Sequence, residues 1–413
     1  MTPHPVRLLL PLLFVLLVRA VDSVTNRWDL LALRDLKSSV DPASIPRGSC
    51  LASWDFDHDP CDSRSTDCFT CGIRCDSTIA APSRVTEISL DSAGYTGSLN
   101  SVNWTAISSL ESLDLSYNSF AGPIPDSISS LSNLRHLHLS KNSFSGPIPA
   151  SLGSLGSLQE LRLDNNQLTG TVPPSFRKLS TLCRFQLEQN NLSGDFPDLS
   201  LLENLQFLDA SGNQFNGTIP SSLPPNLLVL SLRDNHLTGT IPVAIGDLQY
   251  LQVLDLSNNE ISGAVPPFLL GHPSLEQLNL SLNNFTALAE AESKGGAESR
   301  LVAVDLSGNR IGGPLPTSMA AMPRLVSVTL ENNRFTGAIP AEYAERVAGG
   351  SLGRLLLGGN YLHGPIPGEM MGLRPGSVNL SLVDNCLNKC PDYLFFCRGR
   401  HQKSPVDCET FGS

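Results

Sequence analysis

The sequence predicts an α/β repeat solenoid, a right-handed superhelix of about 13 repeats built on one parallel concave sheet. Three observations lead there. Leucines recur with a spacing near 24 residues, an asparagine recurs in register with them, and cysteines gather near both ends of the 413 residues. A fixed period of this length marks stacked units that share one continuous core.

The asparagine stands at Asn118, Asn142, Asn166, Asn190, Asn213, Asn235, Asn259, Asn283, Asn309, Asn333, Asn360 and Asn385. A degenerate first copy starts at Val85 and carries Ala93 in its place. One full copy is Leu110, Leu113, Leu115, Asn118, Phe120, Gly122, Ile124 and Pro125; Leu134, Leu137, Leu139, Asn142, Phe144, Gly146, Ile148 and Pro149 make the next. The L-x-L alternation is a short strand with leucines inward and the intervening residues outward. The asparagine follows where the chain turns, and its amide can satisfy backbone groups that would be costly to bury alone. Stacked copies then form an asparagine ladder. Glycine permits a tight backbone path, and proline stops further strand pairing on that side.

The run L-x-x-L-x-L-x-x-N-x-F/L-x-G-x-I-P resembles the plant-type extracellular leucine-rich repeats of receptor-like proteins, receptor kinases and polygalacturonase-inhibiting proteins. The segment ahead of the repeats is similar to that group's N-terminal cap. A helix with Trp28, Leu30, Leu31, Leu33 and Leu36 precedes Leu51-Ala52-Ser53-Trp54, Asp59-Pro60-Cys61 and Cys71-Gly72-Ile73-Arg74-Cys75. The additional cysteines Cys50 and Cys68 depart from the pattern. The organisation expected is a signal peptide at 1–23, an N-terminal cap at 24–84, repeats at 85–385 and a cysteine-rich C-terminal cap at 386–413. Two short connections break the rhythm, one from Ala287 to Ser299 and one from Ala341 to Ser351.

Arg7, the apolar run from Leu8 to Val18, and Arg19-Ala20 describe a secretory signal peptide, with cleavage between Ala20 and Ser23. That run is too short for a spanning helix, which takes about 20 residues. After Asn385 the longest apolar stretch is Tyr393-Leu394-Phe395-Phe396, so no transmembrane segment, lipid-anchor tail or kinase is expected. The expected location is extracellular, in the apoplast or cell wall, with any plasma-membrane association supplied by a partner.

Hydrophobic residues make up 41% of the chain, enough for a large core and against disorder. With 28 Lys and Arg against 39 Asp and Glu, the net charge is −11. Nucleic acid is therefore a poor partner, because its binding depends on neutralising phosphates. Broad attraction to acidic polysaccharides or anionic membranes is disfavoured likewise.

Of the ten cysteines, Cys50, Cys61, Cys68, Cys71 and Cys75 lie near one end and Cys386, Cys390, Cys397 and Cys408 near the other. In a secreted chain these read as disulfide-stapled caps over the exposed ends of the core. The C-terminal four allow three connectivities, and the N-terminal five leave one unpaired. Zinc at Cys68, Cys71 and Cys75 is the weaker reading in that compartment. Cys183 lies several strand spacings of about 4.8 Å from either cap, too far to bridge to it.

Six N-glycosylation sequons occur, at Asn103, Asn191, Asn216, Asn279, Asn284 and Asn379. Asn279 and Asn379 fall on outward strand positions, so glycans there would cover the C-terminal half of the sheet. Binding is then expected on the N-terminal and middle repeats.

The sequence contains no G-x-S-x-G elbow, phosphate-binding glycine loop or H-E-x-x-H, and no enzyme activity or cofactor is expected. His136 and His138 share a strand face with Asp114 one strand away, a trio of metal or acid–base type. No third strong ligand column converges on them, so they read as solvated surface without a metal. Paired carboxylates for glycoside hydrolysis would need a cleft that a shallow sheet does not offer. The outward positions form two columns. One runs Ser112, His136, Glu160, Arg184, Phe207, Val229, Val253, Gln277; the other runs Asp114, His138, Arg162, Gln186, Asp209, Ser231, Asp255, Asn279. Arginine next to aromatic and aliphatic residues is what interface hot spots use. The candidate ligand-binding residues are His136, His138, Arg162, Arg184, Phe207, Val229 and Val253. The function expected is an extracellular recognition module for a protein or peptide, including a membrane receptor ectodomain. The alternative is inhibition of a cell-wall-degrading glycosidase.

Overall fold

The computed structural model describes residues 25–62, 71–76, 82–289 and 299–409. The expected signal peptide, Cys68 and most of the first irregular connection lie outside the described residues.

Alternation of leucine with polar residues makes each repeat begin as a short strand. In Ser112–Asp114, His136–His138 and Glu160–Arg162 the central leucine is buried and both flanks are partly exposed. These strands pair in order along the chain to form a fourteen-stranded sheet. Its first member, Ile73–Cys75 of the N-terminal cap, runs antiparallel to Val85–Ser89. From Val85–Ser89 to Asn379–Ser381 the pairing is parallel, so the sheet carries one strand for each expected repeat.

Parallel neighbours need a crossover. Here it begins at the consensus proline, which leads into a short 3₁₀ helix such as Ala150–Ser154 or Pro174–Lys178. Before that proline the chain makes a second set of strands that the sequence pattern did not announce. Ser119–Gly122, Ser143–Pro147, Gln167–Gly170 and Asn191–Asp195 belong to a six-stranded sheet on the other side of the core. The consensus glycine sits inside these strands with positive φ, 78° at Gly146 and 83° at Gly194, where a Cβ would be strained.

The asparagine ladder is complete through its twelve positions. Asn142 shows the pattern: its Oδ1 accepts the Phe120 N–H at 2.9 Å, and its Nδ2 donates to the carbonyls of Leu115 and Leu139 at 3.0 and 3.2 Å. Each asparagine thus ties its own turn to the preceding repeat. The residue just before it is often in the left-handed region without being glycine, as at Tyr117, Lys141, Gln189 and Leu282. Such residues disfavour that conformation, and the ladder bonds offset the cost.

The C-terminal cap continues the ladder with a different residue. Gln402 Oε1 accepts the Leu387 N–H at 3.0 Å, and its Nε2 donates to the Leu382 carbonyl at 3.1 Å. These are the bonds an asparagine of a further repeat would make to Asn385's turn. Disulfides Cys386–Cys408 and Cys390–Cys397, with Cα separations of 5.8 and 5.6 Å, hold the segment in place.

The N-terminal cap is closed by Cys50–Cys71 and Cys61–Cys75. Trp54 is buried beside them and donates its indole N–H to the Cys71 carbonyl at 2.8 Å. In the helix Arg27–Ser38, Leu33 and Leu36 face the core, whereas Trp28 and Leu31 face solvent. Asp29 is buried instead, and it accepts two bonds from Arg84, each at 2.9 Å, and one from the Val85 N–H at 2.8 Å. Near the other end, the three-residue lengthening after Pro340 is an α-helix, Ala341–Ala348. Its Arg346 caps the preceding crossover by donating to the carbonyls of Ala320, Met322 and Leu325.

Candidate ligand-binding surface

Strand register decides which outward side chains meet. The pairing places Ser112, His136, Glu160, Arg184, Phe207, Val229, Val253 and Gln277 opposite one another in turn. It does the same for Asp114, His138, Arg162, Gln186, Asp209, Ser231, Asp255 and Asn279. All seven candidate residues lie on this face and are partly exposed.

They fall into two adjoining groups. The first is a charged network. Glu160 accepts from Arg162 at 2.5 Å and contacts His138 Nε2 at 3.2 Å, while His138 Nδ1 lies 3.5 Å from Asp114. Burial opposes ionisation of Glu160, but the Arg162 bond and the nearby positive groups outweigh it and hold its pKa below the usual value. Asp114 is lowered too, with the bonds from His138 and Ser116 overcoming its burial. Ligand atoms of His136, His138 and Glu160 all lie within 4.8 Å of one another. The expectation that no third metal ligand converges is therefore corrected: Glu160 from the next strand supplies one, and Asp114 faces the other ring nitrogen of His138.

The second group is apolar. The Arg184 guanidinium stacks over the Phe207 ring at 4.3 Å, and the strip continues through Val229 and Val253. Such stacking combines a positive charge with aromatic surface at one place on the sheet. Glu160 is the register neighbour of Arg184 and joins the two groups.

A third column, two residues before each ladder asparagine, was not foreseen. Ser140, Asp164 and Glu188 line a cavity of about 380 Å³ with Tyr117, Lys141 and Arg162. Ser140 donates to Asp164, and Gln186 donates to Glu188 at 3.2 Å. Burial, then repulsion from Asp164 and Asp209, push the Glu188 pKa up to about 7. Only the position two residues before the repeated asparagine marks this column in the sequence, and that position also holds serine, arginine and glycine.

The raised Glu188 value fixes the sign of a pH effect. The folded chain keeps the proton that the unfolded chain releases near the ordinary carboxyl value, so Glu188 costs stability as pH rises from about 4.5 to about 7. Glu188→Gln is expected to raise stability at pH 8 by about 1 kcal/mol, a value reduced for partial exposure, and to change it little at pH 4. Melting curves of both chains at the two pH values check this; an equal shift at both would contradict it.

Other outward acids serve the backbone. Asp209, Asp255 and Asp305 each accept from the N–H and hydroxyl of the serine two residues on, which closes the turn before the ladder. Among the sequons, Asn379 is exposed on the long sheet, and Asn103, Asn191 and Asn216 are exposed elsewhere. Asn279 is partly covered, with its Oδ1 accepting from Ser281. Cys183 is the free thiol among the described residues; it donates to the Gln159 carbonyl at 3.1 Å, and burial pushes its pKa up.

Comparison with known proteins agrees with the repeat reading. Residues 156–215 and 225–288 match one leucine rich repeat family model, and residues 109–131 and 133–155 match a second. No curated protein sequence gives a significant match. Among solved structures, the chain is similar to a TDR receptor at 31% identity and a TM-score of 0.64, covering 73% of this chain and 52% of that one. It is similar to the plant peptide hormone receptor RGFR1, solved in complex with RGF2, at 32% identity and 0.57, covering 69% and 49%. The crystal structure of PEPR1-AtPEP1 is similar at 27% identity and 0.67, covering 87% and 55%. The chain thus spans about half the length of these chains. Among the described residues no helix is long and apolar enough to cross a membrane.

Proposed function

We propose that the chain, a stack of leucine-rich repeats, is of the plant extracellular type and is a secreted recognition module that holds an extended peptide, or a peptide-like segment of another ectodomain, against its long sheet. The observation that carries this reading is the continuous outward strip Arg184, Phe207, Val229 and Val253 beside the charged network of His136, His138, Glu160 and Arg162. Seven strands from Ser112 to Val253 cover about 29 Å at roughly 4.8 Å per spacing, the length of about nine extended residues. A peptide laid across them meets charge at one end and apolar surface at the other.

RGFR1, described as a plant peptide hormone receptor and solved with RGF2, supports the ligand class by analogy. The role is binding rather than catalysis: the site offers charged hydrogen bonds, a stacked cation and apolar area. The four disulfides suit an oxidising extracellular compartment. A membrane receptor ectodomain is a natural partner for such a surface.

Arg184→Ala and Phe207→Ala should each weaken the ligand by about 30-fold, the loss of one strong hot spot. The check is co-purification of the full chain and a variant carrying both changes from the native extracellular fluid. A partner retained equally by both would place the binding surface elsewhere. Inhibition of a polygalacturonase, lost in the same variant, would replace the peptide with that enzyme.

A further inference from the structure

We propose that His136, His138 and Glu160 form a binding site for a divalent transition ion of the zinc class. The site shares these residues with the proposed peptide surface, but ion binding needs no peptide and is read out without one. Two imidazoles and one carboxylate are a donor set suited to zinc, and three protein ligands leave a position for water or an incoming group. Their placement follows from the fold rather than from a loop. His136 and His138 lie on one face of a three-residue strand, and Glu160 is the direct register neighbour of His136.

The ligand atoms lie within 4.8 Å of one another. A tetrahedral zinc site with bonds of about 2.0–2.1 Å puts them roughly 3.3 Å apart. Closure therefore takes small side-chain rotations, which partly exposed residues can make.

A second observation concerns Asp114. Its Oδ2 lies 3.5 Å from His138 Nδ1, which turns Nε2 of the same ring toward Glu160 at 3.2 Å. A carboxylate on the far nitrogen of a ligating histidine fixes its ring and raises its basicity. Arg162 works against the ion, since its guanidinium holds Glu160 Oε2 at 2.5 Å. Glu160 Oε1 remains for the metal, and the arginine sets how tightly the ion is held.

The test uses the full chain without an affinity tag, titrated with ZnCl₂ by calorimetry and with Co²⁺ by visible absorption. One equivalent per chain is expected. His136→Ala and His138→Ala should each weaken zinc at least about tenfold, and Asp114→Asn roughly tenfold, as outer partners of metal ligands do. Arg162→Gln should strengthen it. His236→Ala, at an exposed histidine beside Glu260, should leave it unchanged. Melting curves in chelator establish that each variant is folded. No saturable uptake, or uptake untouched by either histidine change, would overturn the site.

Discussion

Asn259→Leu should destabilise the middle of the solenoid by roughly 3–6 kcal/mol, because a near-isosteric side chain leaves several buried backbone groups without partners at once. Asn259 is buried, and its Nδ2 donates to the carbonyls of Leu232, Leu256 and Ser257 at 3.0, 3.1 and 3.2 Å. Its Oδ1 accepts the Leu237 N–H at 3.0 Å. Leucine fills the volume and supplies none of these bonds. Asn259→Asp is expected to fail as a rescue, since it keeps an acceptor for Leu237 but turns a second oxygen toward three carbonyls. Long repeat arrays can unfold in segments, so a single global midpoint is an incomplete readout. Hydrogen exchange at the Leu237 amide reports the local effect directly. Protection there equal to that of the unmodified chain would contradict the ladder's energetic role.

Asp29→Ala should cost about 3 kcal/mol, at the low end for breaking a buried ion pair, because Arg84 keeps some access to water. The Asp29 side chain is fully buried, and that of Arg84 is 27% exposed. The pair is bidentate, and the same carboxylate accepts the Val85 N–H at the start of the first parallel strand. Removing it strands one cation and one backbone donor beneath the N-terminal helix. The two disulfides keep the rest of the cap attached, so the loss should appear as fast exchange of the Val85 amide and a lower melting temperature. In the Asp29→Ala, Arg84→Ala double variant the cost should be less than the sum of the single costs, since neither charge is then buried alone. Additive costs would show that the two residues act separately.

Most of the layout of the candidate surface was legible before the structure. The two outward columns come from a period of two within each strand and a ladder asparagine that marks the register. Repeat lengths that drift between the asparagines do not disturb that count, because the strand always starts six residues before the asparagine. The second irregular connection, with its helix Ala341–Ala348, shows the same independence: it lengthens a crossover and leaves Arg354 opposite Ser327. Glu160 was read as one member of a column, but its contacts with His138 and Arg162, which lie on the other column, were not. These depend on side-chain directions across two strands. Asp164 and Glu188 were missed because the turn position they occupy tolerates many residues.

The sequence by itself determined the period, the inward leucines, the asparagine ladder and the identity of the facing columns, since each depends on contacts repeated at a fixed offset along the chain. The tertiary structure alone decided the features made once: Asp29 under Arg84, Gln402 completing the ladder in the C-terminal cap, the cysteine pairs among the described residues, and the contact of Glu160 with His138 across the two columns. A repeated contact writes itself into the sequence as periodicity. A unique contact between distant residues has no period, and only folding brings its partners together.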